Sequence, residues 1–395
     1  MTMTLNRALS DYVPGYALPQ VFYKDPDIYQ AEIKKIFNTH WLFAGHISQL
    51  PNIGDFFTLD VANESVIITH APSGELKAYI NICRHRGSRI CLEKSGSAKL
   101  FTCPYHAWSY NLDGDLVAAR HMDDDFEPSK YGLHKVWLKC VGGLIFISLA
   151  PTPLSTSDMF DNLDDLFALF GFGALKLAQS KRYHIPANWK LAVENYQECY
   201  HCTPAHKEFA QIHAMAQSPK EFEKAKQAFA DKSDIIHREH NAYFGYARDG
   251  QEGYQYGRNP LRQGKLTGSR DGKALAPLLG NLRRFSGGAS EFMLGPVNFF
   301  LIYDDHMLGY RFMPIDADNC LCEVYWFVNE SAEEGTDYNL DDLTWLWDVT
   351  TQADKTIIKN NQLGVNSAFY QPGPFSQMES FEQSFIDWYI KTMER

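Results

Sequence analysis

Two pairs of mixed sulfur and nitrogen donors carry the strongest chemical signal in this sequence. Cys83 and His85 stand in N-I-C-R-H-R-G; after 17 further residues Cys103 and His106 stand in T-C-P-Y-H-A-W. Thiolates and imidazoles in equal number suit two kinds of centre. One is a tetrahedral Cys2His2 zinc site; the other is a two-iron cluster with both cysteines on one iron and both histidines on the other. Classical zinc modules pair Cys with Cys and His with His along the chain. Here each segment offers one of each, which is the order of a Rieske [2Fe–2S] centre. The stretches HRGS and PYHAW hold no extra cysteine that could cover such a cluster with a disulfide. That suits a lower potential, for oxygen chemistry rather than a respiratory chain.

A second set lies in N-W-K-L-A-V-E-N-Y-Q-E-C-Y-H-C-T-P-A-H, residues 188–206. Glu198 and His201 are three apart, which predicts one helical face. His206 is five residues beyond His201, and Pro204 between them predicts a break that swings the second imidazole round. Two histidines completed by a distant carboxylate form the facial triad that holds non-haem Fe(II) with open positions. Asp354 is the choice for that carboxylate, because a charged group among the apolar positions of a long helix is costly without a partner. Its other reading is a solvated residue or one paired with Lys355 or Lys359; Asp348 is the next candidate.

The elements that must position these residues follow from periodicity. Residues 20–40 carry Ile28, Ile33, Ile36 and Phe37 at helical spacing and predict a short amphipathic helix. From Trp41 to about Ala150, short runs such as FFTLDV, SVIITHA and GGLIFISLA between turn signals predict an antiparallel all-β module. Pro151 and Pro153 precede the helical DMFDNLDDLFALF, so the boundary is set near residue 152: an arm over 1–40, a β domain over 41–152 and a second domain over 153–395. There KRYHIPANWK reads as strand, a helix starts near Leu191, and residues 217–280 read as a long irregular segment. Strands resume with FMLGPVNFFLIYDDHMLGYRFMPI and CLCEVYWFV, and a long helix runs from about Leu340 to Gly364. The whole is an α+β layout.

Composition removes other classes. The 395 residues carry 37 Lys+Arg against 48 Asp+Glu, a net charge of −11, which argues against a nucleic-acid partner. No window reaches the roughly 18 apolar residues of a membrane span, and VGGLIFISLA reads as buried strand. MTMTLNRALSDYVPGYALPQ lacks a signal peptide's apolar core. The chain therefore reads as cytoplasmic, with its eight cysteines as ligands or free thiols. Cys91, Cys199 and Cys202 are read as packed thiols, His213 as supporting or structural, and Arg84 and Arg86 as facing the cluster or its electron donor.

Taken together, these residues resemble the large (α) subunit of the Rieske non-haem iron oxygenases. The resemblance covers the Cys/His loops, the NWK…EN…E-x-x-H segment, the late-helix aspartate and the closing LGVNSAFYQPGPFSQMESFEQSFIDWY. It implies that Cys83, His85, Cys103 and His106 hold the cluster and that His201, His206 and Asp354 hold a mononuclear Fe(II). It further implies a homotrimer in which Glu198 bridges His106 of one chain to His201 of the next. In ring-hydroxylating dioxygenases that bridge is usually aspartate. The glutamate, the wording ENYQECYHCTPAH and the segment NPLRQGKLTGSRDGKALAPLLG look more similar to the branch acting on carnitine, glycine betaine and proline betaine. The implied reaction is O2-dependent hydroxylation of an N-methyl carbon, with electrons from a flavin/ferredoxin-type NAD(P)H reductase. An aromatic ring dioxygenase or O-demethylase acting on an aryl acid is the alternative. From another class come a non-enzymatic Rieske electron carrier, which leaves His201, His206 and Asp354 without a purpose, and a colourless zinc-stabilised scaffold.

Overall fold

Short apolar runs broken by glycine and asparagine turns pair as antiparallel strands through the first part of the chain. The computed structural model describes residues 3–230, 243–246 and 250–395, and its contacts divide the chain into two units. The first, Phe37–Pro153, contains β1 (Leu42–His46), β2 (Asp55–Val61), β3 (Glu64–His70), β4 (Leu76–Ile80), β5 (Ser95–Ser97), β6 (Phe101–Thr102), β7 (Ser109–Tyr110), β8 (Leu116–Ala118), β9 (Lys135–Val141) and β10 (Leu144–Ser148). Seven of them form a sheet in the order β1-β10-β9-β4-β3-β2-β5, and β6-β7-β8 form a second. The apolar run read as buried strand becomes β10, with all five residues buried. Gly142 and Gly143 join it to β9, both at positive φ, as a two-residue hairpin requires.

The second unit joins residues 1–36 to residues 154–395. It holds α1 (Met3–Asp11), α2 (Pro26–Glu32), α3 (Ser157–Phe170), α4 (Trp189–Gln197), α5 (Cys202–Ala205), α6 (Lys207–Ala210), α7 (Pro219–Ala230), α8 (Leu340–Val365) and α9 (Ser380–Glu394). Its antiparallel sheet runs β11-β17-β16-β15-β14-β13-β12. These strands are β11 (Leu175–Ile185), β12 (Tyr243–Gly245), β13 (Tyr254–Pro260), β14 (Gly288–Leu294), β15 (Asn298–Ile302), β16 (Met307–Pro314) and β17 (Cys320–Asn329). Every residue of β16 is buried, and α4 packs against it and against α8. The architecture is α+β. Among the described residues no helix is long and apolar enough to cross a membrane.

Three local expectations change. The single helix over residues 20–40 is instead a 3-10 turn at Gln20–Tyr23, then α2, then a π turn at Ile33–Phe37; α1 precedes them unannounced. Pro26 and the Asp25 carboxylate, which accepts from the Asp27 and Ile28 amides, force a fresh start there. The segment 217–280 contains α7, β12 and β13, with residues 231–242 and 247–249 outside the described set. Weak periodicity hid β13 because pairing with β14, rather than local propensity, makes it a strand.

The start of α4 is fixed by buried polar contacts. Asn188 caps it by accepting from the Lys190 amide, and the Asn188 backbone N–H donates to Gln362 Oε1 of α8 at 2.8 Å. Lys190 Nζ, Trp189 Nε1 and the Tyr389 hydroxyl all donate to the Glu32 carboxylate of α2, at 2.6, 2.8 and 2.5 Å. Both charged side chains are fully buried. Burial pulls the Lys190 ammonium below its ordinary pKa, with Glu32 opposing. Glu32→Ala would leave that ammonium without its anion and should cost about 3–5 kcal/mol, read as a lower denaturant midpoint. Glu32→Leu combined with Lys190→Met should recover most of the loss.

Candidate metal centres

The four donors of the first unit sit on two loops of matching backbone. Cys83 N–H donates to Ser88 O and Gly87 N–H returns to Cys83 O; Cys103 N–H donates to Trp108 O and Ala107 N–H returns to Cys103 O. The fourth residue after each cysteine takes positive φ, 80° at Gly87 and 58° at Ala107. Such turns place the thiols and imidazoles at different depths. Cys83 and Cys103 are each 2 % exposed, whereas His85 and His106 are exposed, with ring centroids 4.7 Å apart. The His85 ring stacks on buried Trp108 at 4.8 Å.

The electrostatics suit a metal. Burial pushes the Cys83 thiol above its usual pKa against hydrogen bonds from the Tyr110 hydroxyl and the His85 backbone, and neighbouring Cys103 adds to the rise. Two close thiols that resist ionisation give up their protons to a bound cation. Desolvation and the neighbouring His85 and Arg86 hold the His106 imidazole low, toward its neutral ligand form. The Tyr110 hydroxyl accepts from the Arg84 amide at 3.0 Å, which leaves its proton for Cys83 Sγ at 3.5 Å. Arg84 also donates to Gly132 O, Arg86 lies over the Tyr105 ring, and Cys91 is a free, half-buried thiol.

In the second unit the ligand segment departs from the helical expectation. Helix α4 ends at Gln197, and Glu198 is extended, at φ −132° and ψ 165°. Glu198 and His201 therefore do not share a helical face; a turn brings them together. The carboxylate accepts from the Tyr200 and His201 amides and bonds His201 Nδ1. Pro204 breaks nothing, since it sits in the first turn of α5, where no N–H is needed. The chain turns at His206, at φ −143° and ψ 94°. Cys199 and Cys202, expected as packed thiols, are joined as a disulfide that closes the turn around Tyr200 and His201.

That turn aims both imidazoles at one carboxylate. Asp354 Oδ1 of α8 lies 3.3 Å from His201 Nε2 and 3.1 Å from His206 Nε2. Asp348, the other candidate, is engaged elsewhere, by the Tyr183 hydroxyl at 2.5 Å and Lys181 at 3.4 Å. Burial raises the Asp354 carboxyl, but hydrogen bonds from His201 and His206 outweigh it and hold the carboxyl below its ordinary value. Burial likewise lowers His201, and hydrogen bonds to Asp354 and Glu198 reverse this, to about 9. His206 is 3 % exposed and its Nδ1 has no hydrogen-bond partner among the described residues. Cys202 lies near both imidazoles, but its sulfur is spent in the disulfide.

A cavity of about 650 Å3 opens onto these three residues, within the usual size of small-molecule sites. Tyr196, Phe209, Phe292, Phe299 and Trp347 give it an aromatic lining. His213 lines it as well, held between the Tyr303 hydroxyl at 2.6 Å and Phe209 O, and burial lowers its pKa to about 3. Sequence reasoning missed Asn195, whose amide lies 3.4 Å from His201 Nε2, and the strand residues of β13 to β15. The one available signal was the position of Asn195 inside the E-N-Y-Q-E run.

Comparison with known proteins assigns the class. The Rieske [2Fe–2S] domain matches residues 40–139, and the ring hydroxylating alpha subunit (catalytic domain) matches residues 172–395. The chain belongs to the ring-hydroxylating oxygenase alpha-subunit family with a Rieske domain. Similar proteins include the glycine betaine monooxygenase oxygenase subunits of Chromohalobacter salexigens, 33% identical over 96% of this chain and 86% of that protein, and of Pseudomonas aeruginosa, 34% identical over 96% and 89%. The carnitine monooxygenase oxygenase subunit of Escherichia coli is 35% identical over 50% of this chain and 54% of its own length. A quaternary ammonium Rieske monooxygenase solved with L-carnitine shares the fold, with TM-score 0.70 and 23% identity over 98% of this chain and 97% of that one. The family's cofactors are a Rieske cluster and a mononuclear iron, and the two donor sets fit them: buried thiols beneath exposed imidazoles, and two imidazoles with one carboxylate beside a cavity.

His206→Ala should lower the metal content from about three irons per chain to about two and leave the red-brown cluster spectrum intact, whereas Asp348→Asn should keep all of it. Tyr110→Phe removes a hydrogen bond to the sulfur of Cys83, a candidate cluster ligand, and should make the cluster's reduction potential more negative in a redox titration.

Proposed function

We propose that this chain is the terminal oxygenase of a multicomponent system that hydroxylates an N-methyl carbon of a small quaternary ammonium compound, of the betaine or carnitine type. The observation that carries this is the convergence of His201, His206 and Asp354 on the aromatic cavity, in a chain similar over 96% of its length to glycine betaine monooxygenase oxygenase subunits. Aromatic faces suit a cation that has no N–H to donate.

In this reading Cys83, His85, Cys103 and His106 hold the cluster in a Rieske domain, and His201, His206 and Asp354 hold the iron in a catalytic domain. Bound there, the iron supplies O2 activation and insertion of one oxygen atom into a C–H bond. O2, two electrons and two protons give water and a hydroxymethyl ammonium. Its C–N bond then breaks, releasing formaldehyde, a proton and the tertiary amine. Glu198 fixes the His201 ring through Nδ1 and leaves Nε2 on the Asp354 side for the metal. The cavity walls orient the substrate and exclude water.

Electrons enter from an NAD(P)H-fed flavin or ferredoxin-type reductase. The chain works as a homotrimer, in which an electron passes from His106 of the partner subunit through Glu198 to His201. Two features support this route. The cluster imidazoles are exposed, and an open depression of about 820 Å3 is lined by Glu198, His201 and the exposed Tyr200.

A single turnover tests the reaction without the reductase: the protein is reduced anaerobically, then given one compound and O2. Formaldehyde should appear with one of glycine betaine, proline betaine, choline or carnitine. A hydroxylated or O-demethylated aryl acid would replace the substrate class and keep the oxygenase. Glu198→Ala should retain both metals yet lose coupled turnover by about 100-fold; normal turnover would remove Glu198 from the route.

A further inference from the structure

The floor of the cavity is one face of three neighbouring strands. Their register sets Gly257 of β13, Glu291 of β14 and Leu301 of β15 side by side, with Gln255, Met293 and Phe299 in the next row. All six line the cavity, and Glu291 alone among them carries a titratable group. Gly257 has no side chain, so the space beside the carboxylate on that strand is left open. Glu291 is partly buried, and its side-chain partner is the Asn259 amide. Among the described residues no lysine, arginine or histidine forms an ion pair with it.

Three other buried carboxylates of this unit are neutralised by protein cations, whereas buried Glu382 has none among the described residues, and burial and Glu194 push its carboxyl up to about 10. Asp304 meets Arg258 at 2.7 Å, Glu32 meets Lys190 at 2.6 Å, and Glu323 meets Arg182 and Arg311. Burial pushes the Glu291 carboxyl up to about 7, with the Asn259 hydrogen bond as the opposing influence. An acid placed this way is costly to ionise until a cation arrives; among the described residues none is paired with it, and Lys226, which also lines the cavity, meets Glu223.

We propose that Glu291 is the counter-ion of the substrate's quaternary ammonium group, and so the residue that makes the cavity select a cation over a neutral molecule of the same shape. This rests on the quaternary ammonium reading above. A tetraalkyl cation cannot donate hydrogen bonds, so it is held by diffuse attraction to ring faces and to a nearby negative charge. Phe299 stands beside Glu291 on the neighbouring strand, one row on, and packs against Tyr196 with ring centroids 4.5 Å apart and planes tilted by 33°. The same carboxylate opposes an aryl acid, which would bring a second negative charge to a floor that has no cation to separate them.

The test uses two ligands of one shape, glycine betaine and tert-butylacetate, in which carbon replaces nitrogen and the positive charge is gone. Both are titrated calorimetrically into the anaerobic holoenzyme with its cluster and ferrous iron in place. The wild-type protein should hold betaine at least about tenfold more tightly than this isostere, which keeps the carboxylate and has an uncharged tert-butyl group in place of the ammonium. Glu291→Gln should abolish that preference by weakening betaine while leaving tert-butylacetate unchanged, with iron content and the cluster spectrum intact. Glu291→Asp, which keeps the charge, should retain most of it. A Glu291→Gln protein that keeps the wild-type ratio overturns the inference and leaves the substrate class standing. So does a wild-type protein that holds both ligands equally, which requires no variant to fold. If the wild type binds no quaternary ammonium at all, with tetramethylammonium, choline and carnitine included, the inference and the substrate class fall together.

Discussion

The second metal centre depends on where one helix begins and ends, and the buried carboxylate of Glu32 sets the beginning. It takes three donors at once, from Trp189, Lys190 and Tyr389. Two consecutive residues of α4 cannot both reach it unless the helix has one position and one rotation. Asn188, immediately before them, ties the same helix start to Gln362 of α8, the helix that carries Asp354. One cluster of buried contacts therefore fixes the helix leading into the histidines relative to the helix bearing the carboxylate. Sub-ångström placement of ligand atoms needs such a rigid origin, because the ligand turn itself has little regular structure to define it.

The two donor sets use burial in opposite senses. In the first unit paired turns place sulfur inside and imidazole outside, so the protected face of a cluster is its thiolate face and the face open to other molecules is its imidazole face. In the second unit the imidazoles turn inward to Asp354, and the Glu198 side chain that holds His201 is itself only 10 % exposed. The disulfide between Cys199 and Cys202 encloses His201 in a small covalent loop with Glu198 directly before it. Since Glu198 also accepts the Tyr200 and His201 amides, carboxylate and imidazole move as one body. A displacement of Glu198 is thus transmitted to the imidazole that faces the cavity.

The candidate donors stood out in the sequence because they cluster within short loops: C-x-H, C-x-x-H and H-x4-H each lie within a few residues. Asp354 could be singled out because a carboxylate stands out in an apolar helical stripe, and the structure brings it against both imidazoles. The path of the chain was less legible. The run WKLAVENYQECYH holds no glycine or proline to mark the end of α4. The helix stops because Glu198 satisfies the following amides and the disulfide tightens the turn. The pairing of Cys199 with Cys202 was likewise hidden, since it needs the 4.9 Å Cα separation that this turn creates. The cavity left no trace at all. Its lining comes in part from β13, β14 and β15, and the pattern of β14 is mostly buried and apolar, so Glu291 reads as one more polar position in a strand.

The carboxylates of this unit show how one chemical group is given different roles by its surroundings alone. Glu32, Asp304 and Glu323 each meet a protein cation and serve as anchors. Asp354 is kept ionised by two imidazoles, so it is a charge ready for a metal. Glu291 has a single neutral amide beside it and lies on the open floor of the cavity, where ionisation waits on something from outside. Side chains that meet their counter-charge inside the protein hold the fold together. Those that lack one carry an unmet electrostatic demand: Glu291 does so on the cavity floor, and buried Glu382 does so outside the cavity lining. What sets Glu291 apart is its place: an unpaired carboxylate on the cavity floor, as well as the candidate metal donors, bears on what the cavity can attract.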